Sequence, residues 1–153
     1  MFIKRRFWRS VEIISNLQIP IYKQAPSYKH QFTMLQSPKK YDLNERTLEF
    51  GKRIIRLAKT LAKNPINLVL VSQIVRSGTS VGANYREANE TKTKKDFLFR
   101  MRICLKEAKE TDYWLNIIIE ANPHLEKRIQ PLAQEAIELV KIFASIILKS
   151  TKV

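Results

Sequence analysis

The chain has 153 residues, 44% of them hydrophobic, and its 28 Lys+Arg against 14 Asp+Glu give a formal charge of +14 and a pI near 10.1. That length builds one domain with a real core, and that composition excludes a disordered chain. A single cysteine, Cys104, excludes an internal disulfide and a cysteine metal cage, and no apolar run reaches the roughly 18 residues a transmembrane helix needs.

With only three glycines and six prolines to punctuate it, the chain reads as long helices. The positive excess invites a polyanion, nucleic acid first. An anionic membrane surface comes second, but no lipidation consensus supports it. One free thiol fits a reducing compartment, so the cytoplasm is the expected location. In the opening MFIKRRFWRSVEII, Glu12 interrupts the apolar residues and no small-residue cleavage site follows, so no secretory leader is expected.

Residues 1–40 carry eight Lys or Arg against one acid, Glu12, and three prolines, Pro20, Pro26 and Pro38, with no sustained helical period. They read as a basic, poorly ordered extension. Lys4, Arg5, Arg6 and Arg9 interleave with Phe7 and Trp8, a mixture able to grip phosphates and stack on bases, although a tail with incidental charge has the same look. Ser37, Pro38, Lys39 and Lys40 resemble one copy of a basic DNA-binding turn. They also fit S-x-x-K, whose companion acyl-transfer motifs are missing. Met34 is a possible true start of translation.

The remainder, 41–150, reads as a four-helix unit. Asp42 and Glu45 have capping-box spacing, which starts a first helix near Leu43. Leu48, Ile54, Ile55, Ala58, Leu61 and Ala62 are its expected buried side, and Asn64-Pro65 its expected end. Arg53 and Arg56 stand among the cations on its outer surface. The second helix, from about Asn67 to Asn89, holds two of the three glycines, each costing about 1 kcal/mol relative to Ala. Gly78 and Gly82, four apart on an apolar side with Ile74, Val81 and Tyr85, let a neighbouring backbone approach closely. On nearly the opposite side Gln73, Arg76, Ser80, Asn84 and Glu87 form a polar row. It is either solvated or a hydrogen-bonded seam against another helix or subunit.

In the third helix, about Lys95 to Ala121, Phe97, Met101, Cys104, Ala108, Thr111, Leu115 and Ile118 step alternately by four and three, the spacing of a core seam. Opposite it lie Lys95, Arg102, Lys106 and Lys109, ending at Tyr113. This basic stripe, some 20 to 25 Å long at 1.5 Å per residue, is able to follow a phosphate backbone. It is equally able to be an ordinary wet surface, and Glu107 and Glu110 dilute it. After Asn122-Pro123 the last helix is expected to have its main body beyond Pro131. Its two adjacent apolar rows, Leu132, Ala136, Leu139, Phe143 and Ile146 beside Ile129, Ala133, Val140, Ala144 and Ile147, are wider than one packed side requires. Self-association is the simplest use of the surplus.

Catalytic signatures are missing. His30 and His124 stand alone, so no metal site is expected, and no phosphate loop, dinucleotide fingerprint or nucleophile elbow appears, so no cofactor is expected either. Glu87, Glu90 and Asp96 would suit a magnesium-dependent nuclease only if folding brought them together. Cys104 lies on the core seam as a small hydrophobe.

Three segments carry a resemblance: Tyr41 to Phe50 (YDLNERTLEF), the spaced set Gln73, Arg76, Ser80, Ala83, Asn84 and Glu87, and Leu105 to Leu115 (LKEAKETDYWL). Together they resemble bacterial four-helix-bundle proteins encoded in intervening sequences of 23S ribosomal RNA genes, over about Tyr41 to Lys149. Ala88 stands where that family usually has glycine, so the second helix is expected to run further here. The resemblance implies an all-α fold, an antiparallel up-and-down four-helix bundle, assembled as a homo-pentameric ring with a positive surface or channel. Relatives include the accessory protein of diversity-generating retroelements, a partner of RNA and of reverse transcriptase.

The reading is therefore a non-catalytic homo-oligomer that binds nucleic acid, structured RNA ahead of DNA, through Lys95, Arg102, Lys106 and Lys109, with Arg53 and Arg56 as second candidates. Two other functions stand beside it: an adaptor docking a nucleic-acid-processing protein, and a metal-dependent nuclease.

Overall fold

The computed structural model describes residues 42–151. Four α-helices account for nearly all of them: α1 Leu43–Ala58, α2 Pro65–Glu90, α3 Lys94–Ala121 and α4 Glu126–Thr151, with a 3-10 turn at Pro123–Leu125 before the last. No strand occurs among the described residues. The basic extension, His30, the Ser37 to Lys40 turn and the Met34 start lie outside them.

Three helix starts are fixed by short polar side chains that take an otherwise unpaired backbone N–H, each worth about 1 kcal/mol. Asp42 Oδ1 accepts from the amide of Asn44 at 2.9 Å, one position earlier than a capping box would place it. Asn64 accepts from Asn67 at 2.8 Å, with Pro65 in the first turn where its missing N–H costs nothing. Thr93 Oγ1 accepts from Asp96 N–H at 3.1 Å.

Successive helices pack on one another, and α1 closes more sparsely on α4. The core holds Phe50, Ile54, Leu57, Ile74, Val81, Met101, Leu115, Ile118, Leu139 and Phe143 among others. Burying each of its large side chains contributes about 1.5–3 kcal/mol. The expected α3 seam is buried from Met101 to Ile118, with Phe97 partly covered.

Two expectations need correction. The buried stripe of α1 is Thr47, Phe50, Ile54 and Leu57, continued by Leu61, so of the residues expected there only Ile54 and Leu61 are fully buried; Leu48, Ile55 and Ala58 are half-buried and Ala62 is exposed. The helix also stops at Ala58. Thr60 turns back to Leu57 O through both its amide and its hydroxyl, at 2.8 Å each, and Asn64 must be extended to cap α2. The second correction is at α4, which begins five residues before Pro131 because the turn after Pro123 runs straight into it and buries Ile129.

Two polar contacts fix helix register. Asn67 and Asn122, both buried, exchange side-chain amide hydrogen bonds at 3.1 and 3.0 Å, tying the start of α2 to the end of α3. Replacing Asn122 by Ala leaves the buried Asn67 Oδ1 without its donor, although the Asn67 amide keeps Ala62 O at 3.0 Å, so a loss of about 1–3 kcal/mol is expected in urea denaturation. The paired change Asn67→Leu with Asn122→Leu should cost less than that single one, and an equal or larger loss would mean that the amides do not act as a pair.

Arg46 of α1 donates to Glu135 of α4 at 2.7 Å and also to Glu138. Its hydrogen bond, followed by that of Gln134, holds the Glu138 carboxyl below its ordinary value of 4.5. A lowered carboxyl contributes stability that is present above the unfolded value and lost as pH falls through the folded one. Thermal midpoints should therefore decline below about pH 4.5. Arg46→Met should make that decline shallower; an unchanged acid limb would mean that the pair contributes nothing.

Candidate nucleic-acid interface

On α3, Lys95, Arg102, Lys106 and Lys109 are all exposed, on the side away from the buried seam. Among the described residues Lys95, Arg102 and Lys109 form no ion pair, and Lys106 reaches only Glu107 Oε1 at 3.5 Å. The two acids expected to dilute this row are turned towards α2. Glu107 is 5% exposed. Its Oε2 has no hydrogen-bond partner, and the charge is offset by Arg76 Nη1 at 3.6 Å. Glu110 accepts from Arg76 and, at 3.2 Å, from the Trp114 indole. The positive row is thereby less diluted than its sequence suggests.

The polar row of α2 runs along the α2–α3 margin. Arg76 spans to Glu107 and Glu110 near one end, and Arg100 Nη1 meets Glu87 at 2.7 Å and Asn84 Oδ1 at 3.3 Å near the other. Between them Ser80 and Asn84 bond back to their own helix, to Arg76 O at 2.7 Å and Ser80 O at 2.9 Å. Gln73 Oε1 accepts from Arg76 at 3.4 Å. On the other side of α2, Gly78 and Gly82 lie against Ile54 and Thr47 of α1.

Arg53 and Arg56 lie apart from the α3 row, on a helix that makes no close backbone approach to α3. With Arg128 of α4 they line a small hollow completed by Leu57 and Leu132. Arg56 is partly committed, donating to Glu49 at 2.8 Å. Arg128 was not singled out in the sequence reading, which placed the main body of the last helix beyond Pro131.

No three of the described His, Cys, Asp or Glu side chains are grouped to hold a metal. Glu87, Glu90 and Asp96 do not assemble: Glu87 is held by Arg100, and Asp96 accepts from Thr93 Oγ1 at 2.6 Å. Burial pushes the Cys104 thiol up to about 12, which keeps it protonated and unreactive at neutral pH. No described helix is long and apolar enough to cross a membrane.

Residues 39–145 match the family model described as 23S rRNA-intervening sequence protein. A crystal structure from Bacteroides thetaiotaomicron VPI-5482, described as a protein with unknown function from the S23 ribosomal protein family, is 38% identical. The two superpose with a TM-score of 0.63 over 68% of this chain and 96% of that one. None of the curated proteins matches the chain.

Proposed function

The chain belongs to the 23S rRNA-intervening sequence protein family, and from that premise we propose that it is a non-catalytic, oligomeric nucleic-acid-binding protein, taking structured RNA ahead of DNA. The observation that carries this reading is the α3 row: four exposed cations on one helix, three of them without an ion pair among the described residues. Phosphate is the ligand that such a row suits, and a formal +14 supports it by favouring encounter with polyanions. Arg53, Arg56 and Arg128 offer a second contact region.

In this reading the four helices run antiparallel, up and down. Asn67 beside Asn122, Arg76 beside Glu107 and Asn84 beside Arg100 support that for α2 and α3, since partners later in one helix fall earlier in the other. Copies assemble as a homo-oligomer, a pentameric ring, in the cytoplasm. Half-buried Val140, Ala144, Ile146 and Ile147 on α4 supply apolar area for that assembly.

A second reading, an adaptor that docks a nucleic-acid-processing protein, is favoured by Ile66, Leu68 and Val69 at the start of α2, which are 60–65% exposed. Light scattering of the purified chain before and after nuclease treatment, followed by filter binding to RNA across salt concentration, tests both. Binding that falls steeply with salt is expected. A flat series, or no binding at low salt, rejects the first reading, and a protein partner retained after nuclease favours the second.

A further inference from the structure

The positive row of α3 has aromatic members as well. Lys95, Phe99, Arg102, Lys106, Lys109 and Tyr113 step by four and three along the helix, and every one of them is exposed. Phe99 is 58% and Tyr113 56% exposed, large apolar areas for a folded chain to leave in water. Three cations lie between the two rings. The 14 steps from Phe99 to Tyr113 span about 21 Å at 1.5 Å per residue.

Neither ring is loose. Tyr113 meets Trp114 at 5.0 Å between centroids and 72° between planes, and Trp114 is pinned through its indole N–H to Glu110 at 3.2 Å. The Arg100 guanidinium sits 5.9 Å from the Phe99 ring centroid, while Arg100 itself is held by Glu87. Two exposed rings braced at the ends of a positive run can take stacked bases at a low cost in side-chain entropy. A duplex keeps its bases stacked within, whereas an unpaired strand offers both phosphates and free base faces. A second copy of the same row is a poor occupant, because its own central cations would face these.

We propose that the outer face of α3 binds unpaired RNA, as in the loops and bulges of a folded RNA, with bases stacked on Phe99 and Tyr113 and the intervening phosphates on Arg102, Lys106 and Lys109. This deepens the nucleic-acid reading above and rests on it.

Fluorescence anisotropy of the full chain at low salt, against a labelled non-self-complementary RNA strand and the duplex it forms with its complement, tests the site. The wild type should prefer the single strand. Phe99→Leu and Tyr113→Leu, which keep an apolar side chain, should each weaken single-strand binding about five-fold or more and leave duplex binding nearly unchanged. Phe99→Tyr and Tyr113→Phe, which keep a ring, should bind as the wild type does. Leucine variants that bind the strand normally, or that lose both ligands together as their assembly changes in light scattering, overturn the inference. Equal wild-type binding of strand and duplex overturns it while leaving the nucleic-acid reading intact; binding of neither sinks that reading and the inference with it.

Discussion

Ile54→Ala is expected to lower stability by about 2–5 kcal/mol, and adding Gly78→Ala is expected to restore part of the loss. Ile54 is fully buried where α1 meets α2. A Cβ placed on Gly78 would lie 2.7 Å from Ile54 Cγ1, 3.0 Å from Cγ2 and 3.3 Å from Cβ. Alone, Gly78→Ala therefore overpacks the crossing, a cost of about 1–3 kcal/mol against a helix-propensity gain of about 1 kcal/mol, so a net loss is expected. With Ile54 shortened, the two nearest atoms are gone. The new methyl then occupies space the isoleucine has left, with only the Cβ of position 54 still close at 3.3 Å, so most of the propensity gain counts. Gly51→Ala is the contrast, because its new methyl would meet nothing nearer than 3.9 Å and should stabilise by about 0.5–1 kcal/mol. Gly82 falls between, since a Cβ placed there would lie 3.3 Å from the Thr47 carbonyl oxygen, which as backbone cannot swing aside. Urea denaturation of the wild type, both single variants and the double variant closes the cycle. Strict additivity of the two losses would show that Gly78 and Ile54 are not in steric contact.

That crossing also marks how far the sequence could be read. Two glycines four apart signalled a close approach, but nothing local says that α1 is what approaches, since that depends on register between distant segments. Within α1 itself, Leu48, Ile55, Ala58 and Ala62 compete with Phe50, Ile54, Leu57 and Leu61 as the dry side, and the two sets lie only about 100° apart for neighbouring positions. Thr47 disguised the correct set. Its hydroxyl donates to Leu43 O at 2.7 Å, which lets a polar residue sit in the core at 1% exposure. The α3 seam was legible because its period is unbroken over seven positions, and its four cations are exposed on the side away from the seam as expected.

What the sequence hid at the candidate site was the direction of the acids. Glu107 and Glu110 are interspersed with the row in the chain, and only the fold brings Arg76, more than 30 residues away, to draw them off. Phe99 was passed over for a different reason: four residues after Lys95 it falls on the stripe once the seam fixes the helix phase, but the stripe was read for its charges and an apolar residue was not sought there. Arg128 was passed over because the main body of the last helix was placed beyond Pro131. Residues 1–40, with half of the net positive charge, lie outside the described residues.

Replacing Arg102, Lys106 and Lys109 together by Gln is expected to weaken RNA binding on the order of a hundredfold at low salt, through the loss of three charge-assisted phosphate contacts in each engaged subunit. Glutamine has nearly the helix propensity of lysine and arginine, and removing like charges from one helix face relieves repulsion, so the thermal midpoint should not fall. Any change in binding then reports the contacts and not the fold. The diagnostic quantity is the salt dependence: each lost phosphate contact should reduce the slope of log K against log salt by about 0.7–1, or roughly 2–3 for the triple variant per engaged subunit. The matching triple change of Arg53, Arg56 and Arg128 should cost less, because Arg56 already spends part of its charge on Glu49. If the α3 variant keeps the wild-type slope while the arginine variant loses it, phosphate is held between α1 and α4, and the outer face of α3 is a wet surface after all.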